Sequence, residues 1–89
     1  MSQMSYYKQP SSRPTLTTTS TANATKSSVQ TYQLRVFTSS AASLVISDSS
    51  STSAGIPIPF GAGVVGEYLT VTPGQWYLPG AGMTVTEMS

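Results

Sequence analysis

The stretch YLTVTPGQWYLPGAGMTVT, residues 68–86, decides the class of fold. It contains three short segments rich in aromatic, aliphatic and β-branched residues, which favour extended backbone. Pro-Gly dipeptides, Pro73-Gly74 and Pro79-Gly80, separate these segments. Pro presets the first central position of a type II turn and Gly accepts the positive φ of the second. This stretch therefore predicts three strands joined by tight turns.

Further strands are predicted on the N-terminal side of this stretch. Tyr32, Leu34 and Val36 alternate with polar residues, which is typical of a half-buried strand. Residues 44–46 form a second apolar run, and residues 56–60 alternate Pro with large apolar residues, so they can form only an edge strand or a connection. We therefore expect residues 29–89 to form an all-β domain, a small antiparallel sandwich or barrel (jelly-roll-like).

Residues 1–28 are predicted to form an extended Ser/Thr-rich arm before this domain. Pro10 and Pro14 exclude a helix there, and residues 15–21 are almost all β-branched. The segment has too little apolar surface to order itself, so we expect a partner to hold it, with residues 15–21 adding a strand to that partner. The predicted contacts of the arm are apolar anchors and cations placed near acidic groups: Tyr6, Tyr7, Leu16, Lys8 and Arg13.

The inventory of side chains argues against an enzyme. The 89 residues include no Cys and no His, which removes thiolate chemistry, the usual general base and the commonest metal ligands. Of the acidic residues Asp48, Glu67 and Glu87, the last two lie in alternating runs and are interpreted as ordinary charges on a strand face. We expect no catalytic residue, no cofactor and no metal.

The charges and the composition favour a protein partner. The four basic residues are dispersed, whereas nucleic-acid binding needs clustered cations, so no nucleic acid is expected. The chain has 16 Ser and 13 Thr but only 8% charged residues, which suits a surface that is covered by other protein. A domain this small without disulfide or metal is marginal as a monomer, which predicts a homo-oligomer. Neither a signal peptide nor a membrane span is evident, so we expect synthesis in a cytoplasm.

Two motifs have competing interpretations. Residues 61–66 match the dinucleotide fingerprint G-x-G-x-x-G, but a proline-rich segment precedes them and β-patterned sequence follows, so a glycine-rich β turn is favoured. Trp76 and Tyr77 could stack on a sugar or a base. The favoured alternative is that one of the two packs in the core while its neighbour covers a subunit contact.

The arm, together with IPIPFGAG (residues 56–63) and GEYLTVTPGQ (residues 66–75), resembles small virion proteins of tailed bacteriophages. These are the capsid decoration (cement) proteins and related head or tail accessory subunits. The resemblance implies a non-enzymatic structural subunit, often a trimer, that binds the major capsid protein or another virion subunit. It also implies a location in the virion, after assembly in the host cytoplasm. A glycan- or surface-binding module of a fibre or adhesin, with Trp76 and Tyr77 as its platform, remains the alternative.

Overall fold

The computed structural model describes residues 13–51 and 55–89 of the chain. These residues form eight β-strands and no helix. The strands are β1 Pro14–Thr18, β2 Thr25–Lys26, β3 Gln33–Thr38, β4 Ala42–Ser47, β5 Ile56–Phe60, β6 Val65–Thr70, β7 Trp76–Leu78 and β8 Met83–Met88.

The strands form two four-stranded antiparallel sheets that together make a sandwich. The first sheet has the order β1-β8-β3-β6 and the second has the order β2-β7-β4-β5. Four pairs are nested in the sequence, β1 with β8, β2 with β7, β3 with β6 and β4 with β5, and they alternate between the two sheets. A long antiparallel ribbon rolled up in this way is a jelly roll. The prediction of a small all-β sandwich of this type is confirmed.

Two strands lie inside the segment that was predicted to be an arm. Strand β1 pairs with β8 of its own chain, from Pro14 opposite Met88 to Thr18 opposite Val85, and β2 pairs with β7. The β-branched run thus adds a strand to a sheet of its own chain, next to β8. The sequence led us to expect that a partner protein would provide that sheet edge. The sandwich therefore begins before residue 29, and the first predicted anchors, in residues 1–12, lie outside the described residues.

The turns after β6 and β7 differ from each other. At Pro73-Gly74 the amide of Gln75 donates to the carbonyl of Thr72 at 3.1 Å, and Gly74 has a φ of 82°, as the predicted type II turn requires. The second turn has Ala81 and Gly82 at its centre, two residues after the predicted Pro79-Gly80. Met83 donates to the carbonyl of Gly80 at 3.2 Å, and Gly82 takes the positive φ. Residues 61–64 join two strands, as the interpretation of a glycine-rich turn predicts.

The core lies between the sheets and follows the predicted alternation. Leu34 and Val36 are buried on β3, whereas Gln33, Arg35 and Phe37 point to the opposite face and are half-buried. The nine buried members of the core cluster are Leu34, Val36, Leu44, Ile46, Phe60, Val71, Tyr77, Met83 and Val85. Every strand from β3 to β8 except β6 contributes at least one of them, so no single hairpin could form this core by itself.

Candidate functional site

Glu87 is a buried carboxylate between the two sheets. Its side chain is 1% exposed, in the position of β8 that faces the interior. Oε1 accepts hydrogen bonds from the amide of Ser28 at 2.9 Å and from the hydroxyl of Thr31 at 2.8 Å, and Oε2 accepts one from the hydroxyl of Tyr77 at 2.6 Å. The interpretation of Glu87 as an ordinary strand-face charge is therefore wrong, because alternation places residues 83, 85 and 87 on the inner face.

Tyr77 connects this carboxylate to the first strand. Tyr77 is on the second sheet, and its hydroxyl donates to Glu87 on the first sheet. The hydroxyl of Thr18 on β1 lies 3.1 Å from the hydroxyl oxygen of Tyr77. Burial, and next the hydrogen bond to Glu87, raise the pKa of the Tyr77 hydroxyl well above its usual range. The phenol therefore stays protonated and acts as a donor. This network joins both sheets and β1, so its role is structural.

Arg35 lies on the outer face of the first sheet, between two aromatic rings. Its guanidinium carbon is 4.8 Å from the centroid of the Phe37 ring and 6.0 Å from that of Tyr68. Tyr68 is the cross-strand neighbour of Arg35, and Val65 on β6 is the neighbour of Phe37. Val65 is 80% exposed and Tyr68 is 50% exposed. We call Arg35, Phe37, Val65 and Tyr68 the Arg35 face.

Gly66 leaves room for the guanidinium of Arg35. Strand β6 has an irregular register beside Phe37, and Gly66 there has a φ of 73°. A Cβ at this position would lie 3.0 Å from Nε of Arg35 and 3.2 Å from Nη2, so a side chain would crowd the guanidinium. Nε is buried without a hydrogen-bond partner, and among residues 13–51 and 55–89 Arg35 makes no ion pair. The cation is therefore held in position without a counter-ion from the described part of its own chain.

Trp76 lies on the outer face of the second sheet, beside polar side chains. It is half-buried and is paired across the sheet with Lys26 on β2 and with Ser47 on β4. Next to Ser47, the carboxylate of Asp48 accepts a hydrogen bond of 3.2 Å from the side-chain amide of Gln75. We call Trp76, Lys26, Asp48 and Gln75 the Trp76 face.

The other predicted contact residues fall into separate places. Leu16 on β1 is 48% exposed and Arg13 is exposed, with its carbonyl accepting a hydrogen bond from the amide of Ser89 at 2.9 Å. Tyr77 is 1% exposed, so its prediction as a partner contact is wrong, and it is the member of the aromatic pair that packs in the core. Tyr6, Tyr7 and Lys8 lie outside the described residues.

Sequence reasoning did not single out the residues of the Arg35 face. Arg35 and Phe37 are separated by one residue in an alternating strand, which already predicts a common face. Tyr68 and Val65 could not be added, because the pairing of β3 with β6 joins segments about 30 residues apart. The signal that was available is a cation beside aromatic residues on the polar side of a strand, a pattern enriched at protein contacts.

Comparisons with known proteins add no relative. No protein-family model, no curated protein and no solved structure matches this chain. Within the described ranges, no group of three or more His, Cys, Asp or Glu side chains is placed to hold a metal ion, and no helix could span a bilayer.

Proposed function

We propose that this chain is a structural virion subunit, a capsid decoration (cement) protein of the tailed-phage type, which binds the major capsid protein or another shell subunit. The observation that carries the proposal is the Arg35 face, where a cation with no counter-ion among the described residues lies beside exposed apolar side chains on the first sheet. Jelly rolls are common in viral capsids and also in lectins. Because a fold does not specify a function, the surface and not the fold supports the proposal.

One edge of the second sheet favours association through sheet faces. Strand β5 is this edge, and Pro57 and Pro59 alternate with the residues that can donate to β4. Residues 57 and 59 of an antiparallel strand direct their backbone groups to the same side, and here that side has no N–H groups. A strand from a partner would find carbonyls but no donors at these two positions. Proline at a sheet edge is a common protection against edge-to-edge pairing.

The low charge of the chain supports the proposal that it is part of a protein assembly. Only 8% of the residues are charged. Among the residues that the structure describes, four of the five exposed large apolar side chains lie on three different edge strands. The exposed set is Leu16, Val29, Ile56, Val65 and Tyr68. In the proposed assembly, copies of the chain associate with one another, with a trimer favoured, and also contact the shell. Tyr6, Tyr7 and Lys8 are proposed as additional anchors.

Purification of particles from the cells that make this chain tests the proposal. The chain should sediment with the main shell protein in a fixed stoichiometric ratio, and particles assembled without it should release packaged DNA at a lower temperature. A deletion of residues 2–12 tests the proposed anchors, since it removes none of the eight described strands. Absence of the chain from the particles, measured by mass spectrometry, would contradict the proposal.

The Trp76 face favours one second candidate, a glycan-binding module. An aromatic side chain with hydrogen-bonding groups nearby is what sugar recognition requires. Lys26 is the cross-strand partner of Trp76, and Gln75, which precedes Trp76, donates a hydrogen bond to Asp48. Screening on a glycan array decides between the candidates. Binding that is lost in Trp76→Ala and kept in Tyr68→Ala would favour the glycan-binding module over the virion subunit.

A further inference from the structure

We propose that the Arg35 face is a receptor for a single carboxylate side chain, Asp or Glu, on the protein that this chain decorates. The terminal nitrogens of Arg35 would donate to the two carboxylate oxygens, while Val65 and Tyr68 pack on apolar groups beside it. The inference rests on the proposed function, because it names the chemistry of the partner at the same face. Arginine and aromatic residues are the side chains most enriched among the dominant contacts of protein interfaces.

The three acidic residues of the chain are all directed elsewhere. Glu87 is buried between the sheets with its oxygens already accepting hydrogen bonds. Glu67 is the cross-strand neighbour of Val36, whose side chain points into the sandwich, so it lies on the other side of the sheet from Arg35. Asp48 follows the last residue of β4 in the second sheet. A partner is therefore the source of the missing anion.

The guanidinium is set in advance for an end-on contact. The ring of Phe37, the ring of Tyr68 and the bare backbone of Gly66 hold it in place. Nε is fully buried, whereas Nη1 and Nη2 retain accessible surface and have no hydrogen-bond partner within the described residues, so they are the nitrogens that can donate to a partner. Two parallel N–H groups match the two oxygens of a carboxylate. Because the side chain is already ordered, binding costs less rotamer entropy.

The surroundings favour a protein carboxylate over other anions. A nucleic-acid backbone needs several cations that face successive phosphates. Among the described residues, Arg35 is the single charged member of this face. The highly exposed Val65 and half-exposed Tyr68 provide an apolar flank, which a phosphate or a sulfate would leave in water. A carboxylate that projects from an apolar peptide surface satisfies the charge and covers the flank together.

Nuclear magnetic resonance with two matched peptides tests the chemistry of the site. The probes are Ac-Val-Glu-Val-NH2 and Ac-Val-Gln-Val-NH2, titrated into the ¹⁵N-labelled full chain. The Glu peptide should shift the Nε–H signal of Arg35 and the amides of Gly66 and Tyr68, with a Kd at least about tenfold lower than that of the Gln peptide. Equal affinities, shifts confined to the Trp76 face, or tighter binding of inorganic phosphate would overturn the inference.

Variants on purified particles test the partner. Arg35→Gln should bind the shell at least about tenfold more weakly, and Arg35→Lys should recover only part of the loss, because an ammonium keeps the charge but not the planar fork. Glu67→Gln is the control, since it also replaces one charged side chain of the first sheet by Gln, on the other side of that sheet from Arg35, and it should bind as the unchanged chain does. Equal losses in Arg35→Gln and Glu67→Gln, or no loss in Arg35→Gln, would overturn the inference.

The two experiments separate the inference from the proposed function. Failure of the unchanged chain to bind particles contradicts the proposed function, and the peptide titration still decides the chemistry of the Arg35 face. Binding of the unchanged chain together with full binding of Arg35→Gln contradicts the inference alone. Circular dichroism of each variant must match that of the unchanged chain. If Arg35→Gln does not fold, the affinity of Arg35→Lys for the shell, a variant that keeps the charge and most of the side chain, tests the inference instead.

Discussion

Glu87 and Arg35 are both charged residues without an ion-pair partner in the described part of the chain, but their surroundings are opposite. Glu87 is 1% exposed and accepts three hydrogen bonds from groups of the same chain. Arg35 is half-buried on an outer face, and it has ring contacts but no hydrogen-bond acceptor there. The carboxylate of Glu87 therefore has its hydrogen-bond donors inside the fold, whereas the guanidinium of Arg35 has no acceptor among the described residues. Glu87 thus has a structural role, and Arg35 is the residue at which we propose that a partner binds.

The same contrast has an energetic form. Removing the acceptor of a buried donor exposes the full desolvation cost of that donor, about 1–3 kcal/mol for each group. Removing a cation that stacks on rings at a partly exposed site loses only about 0.5–1 kcal/mol for each ring contact. Substitutions at Glu87 should therefore act on the free energy of unfolding, and substitutions at Arg35 should act on association.

The largest expected effect is that of Glu87→Ala. It leaves the amide of Ser28 and the hydroxyls of Thr31 and Tyr77 without their acceptor inside the sandwich. The free energy of unfolding, measured with urea, should fall by about 3–5 kcal/mol, a large part of the total for a domain of this size. Glu67→Ala is the control, because Glu67 is exposed, and it should stay within about 0.5 kcal/mol. Similar losses of unfolding free energy in both variants would contradict a stabilising role of the Glu87 hydrogen bonds.

A smaller effect is expected for Tyr77→Phe, which removes one hydroxyl and keeps the ring. Glu87 loses one donor, and the hydroxyl of Thr18 loses its contact across the sandwich. Unfolding in urea should show a loss of about 1.5–3 kcal/mol, the range for hydrogen bonds to charged groups. Hydrogen exchange of the β1 amides should also become faster. Tyr68→Phe provides the control, and an equal loss there would show that the network does not matter.

The pH dependence of stability tests the buried position of the Tyr77 hydroxyl beside Glu87. Burial, and then the hydrogen bond to Glu87, raise the pKa of Tyr77 in the folded state, whereas the unfolded chain releases this proton near pH 10. Below pH 10 both states hold the proton, and above it only the folded state does. The free energy of unfolding should therefore fall by about 1.4 kcal/mol for each pH unit above 10. Urea unfolding of Tyr77→Phe should lack this decline, and an identical slope would contradict the assignment.

The smallest effect on stability is expected at Arg35. Arg35→Gln removes two ring contacts and no ion pair, so the free energy of unfolding should change by no more than about 1–2 kcal/mol. Thermal unfolding against Lys26→Gln, which removes the same charge from the other sheet, gives the matched reference. A loss as large as that of Glu87→Ala would show that Arg35 stabilises the fold and is not reserved for an interface.

The strands were easier to predict than their partners. Alternation around Leu34 and Val36 and the turn at Pro73-Gly74 are local patterns, and the structure confirms them. The pairing of β1 with β8 joins residues about 70 positions apart, and no local signal identifies such a partner. A Thr-rich segment is equally suited to its own sheet and to a neighbour's sheet. The sequence therefore does not predict which strand β1 pairs with, and the free edge of β8 decides it.

The composition and the alternation of apolar residues by themselves determined the all-β class, the tight turn at Pro73-Gly74 and the exclusion of residues 56–60 from a central strand, because these follow from backbone preferences within a few residues. Only the tertiary structure decided that Glu87 lies inside and that Val65 and Tyr68 lie beside Arg35. A period of two shows which residues of β8 share a face, but not which face meets the other sheet when both carry mixed side chains. The packing of the two sheets decides that Glu87 is buried, and the pairing of β3 with β6 brings the residues of the Arg35 face together.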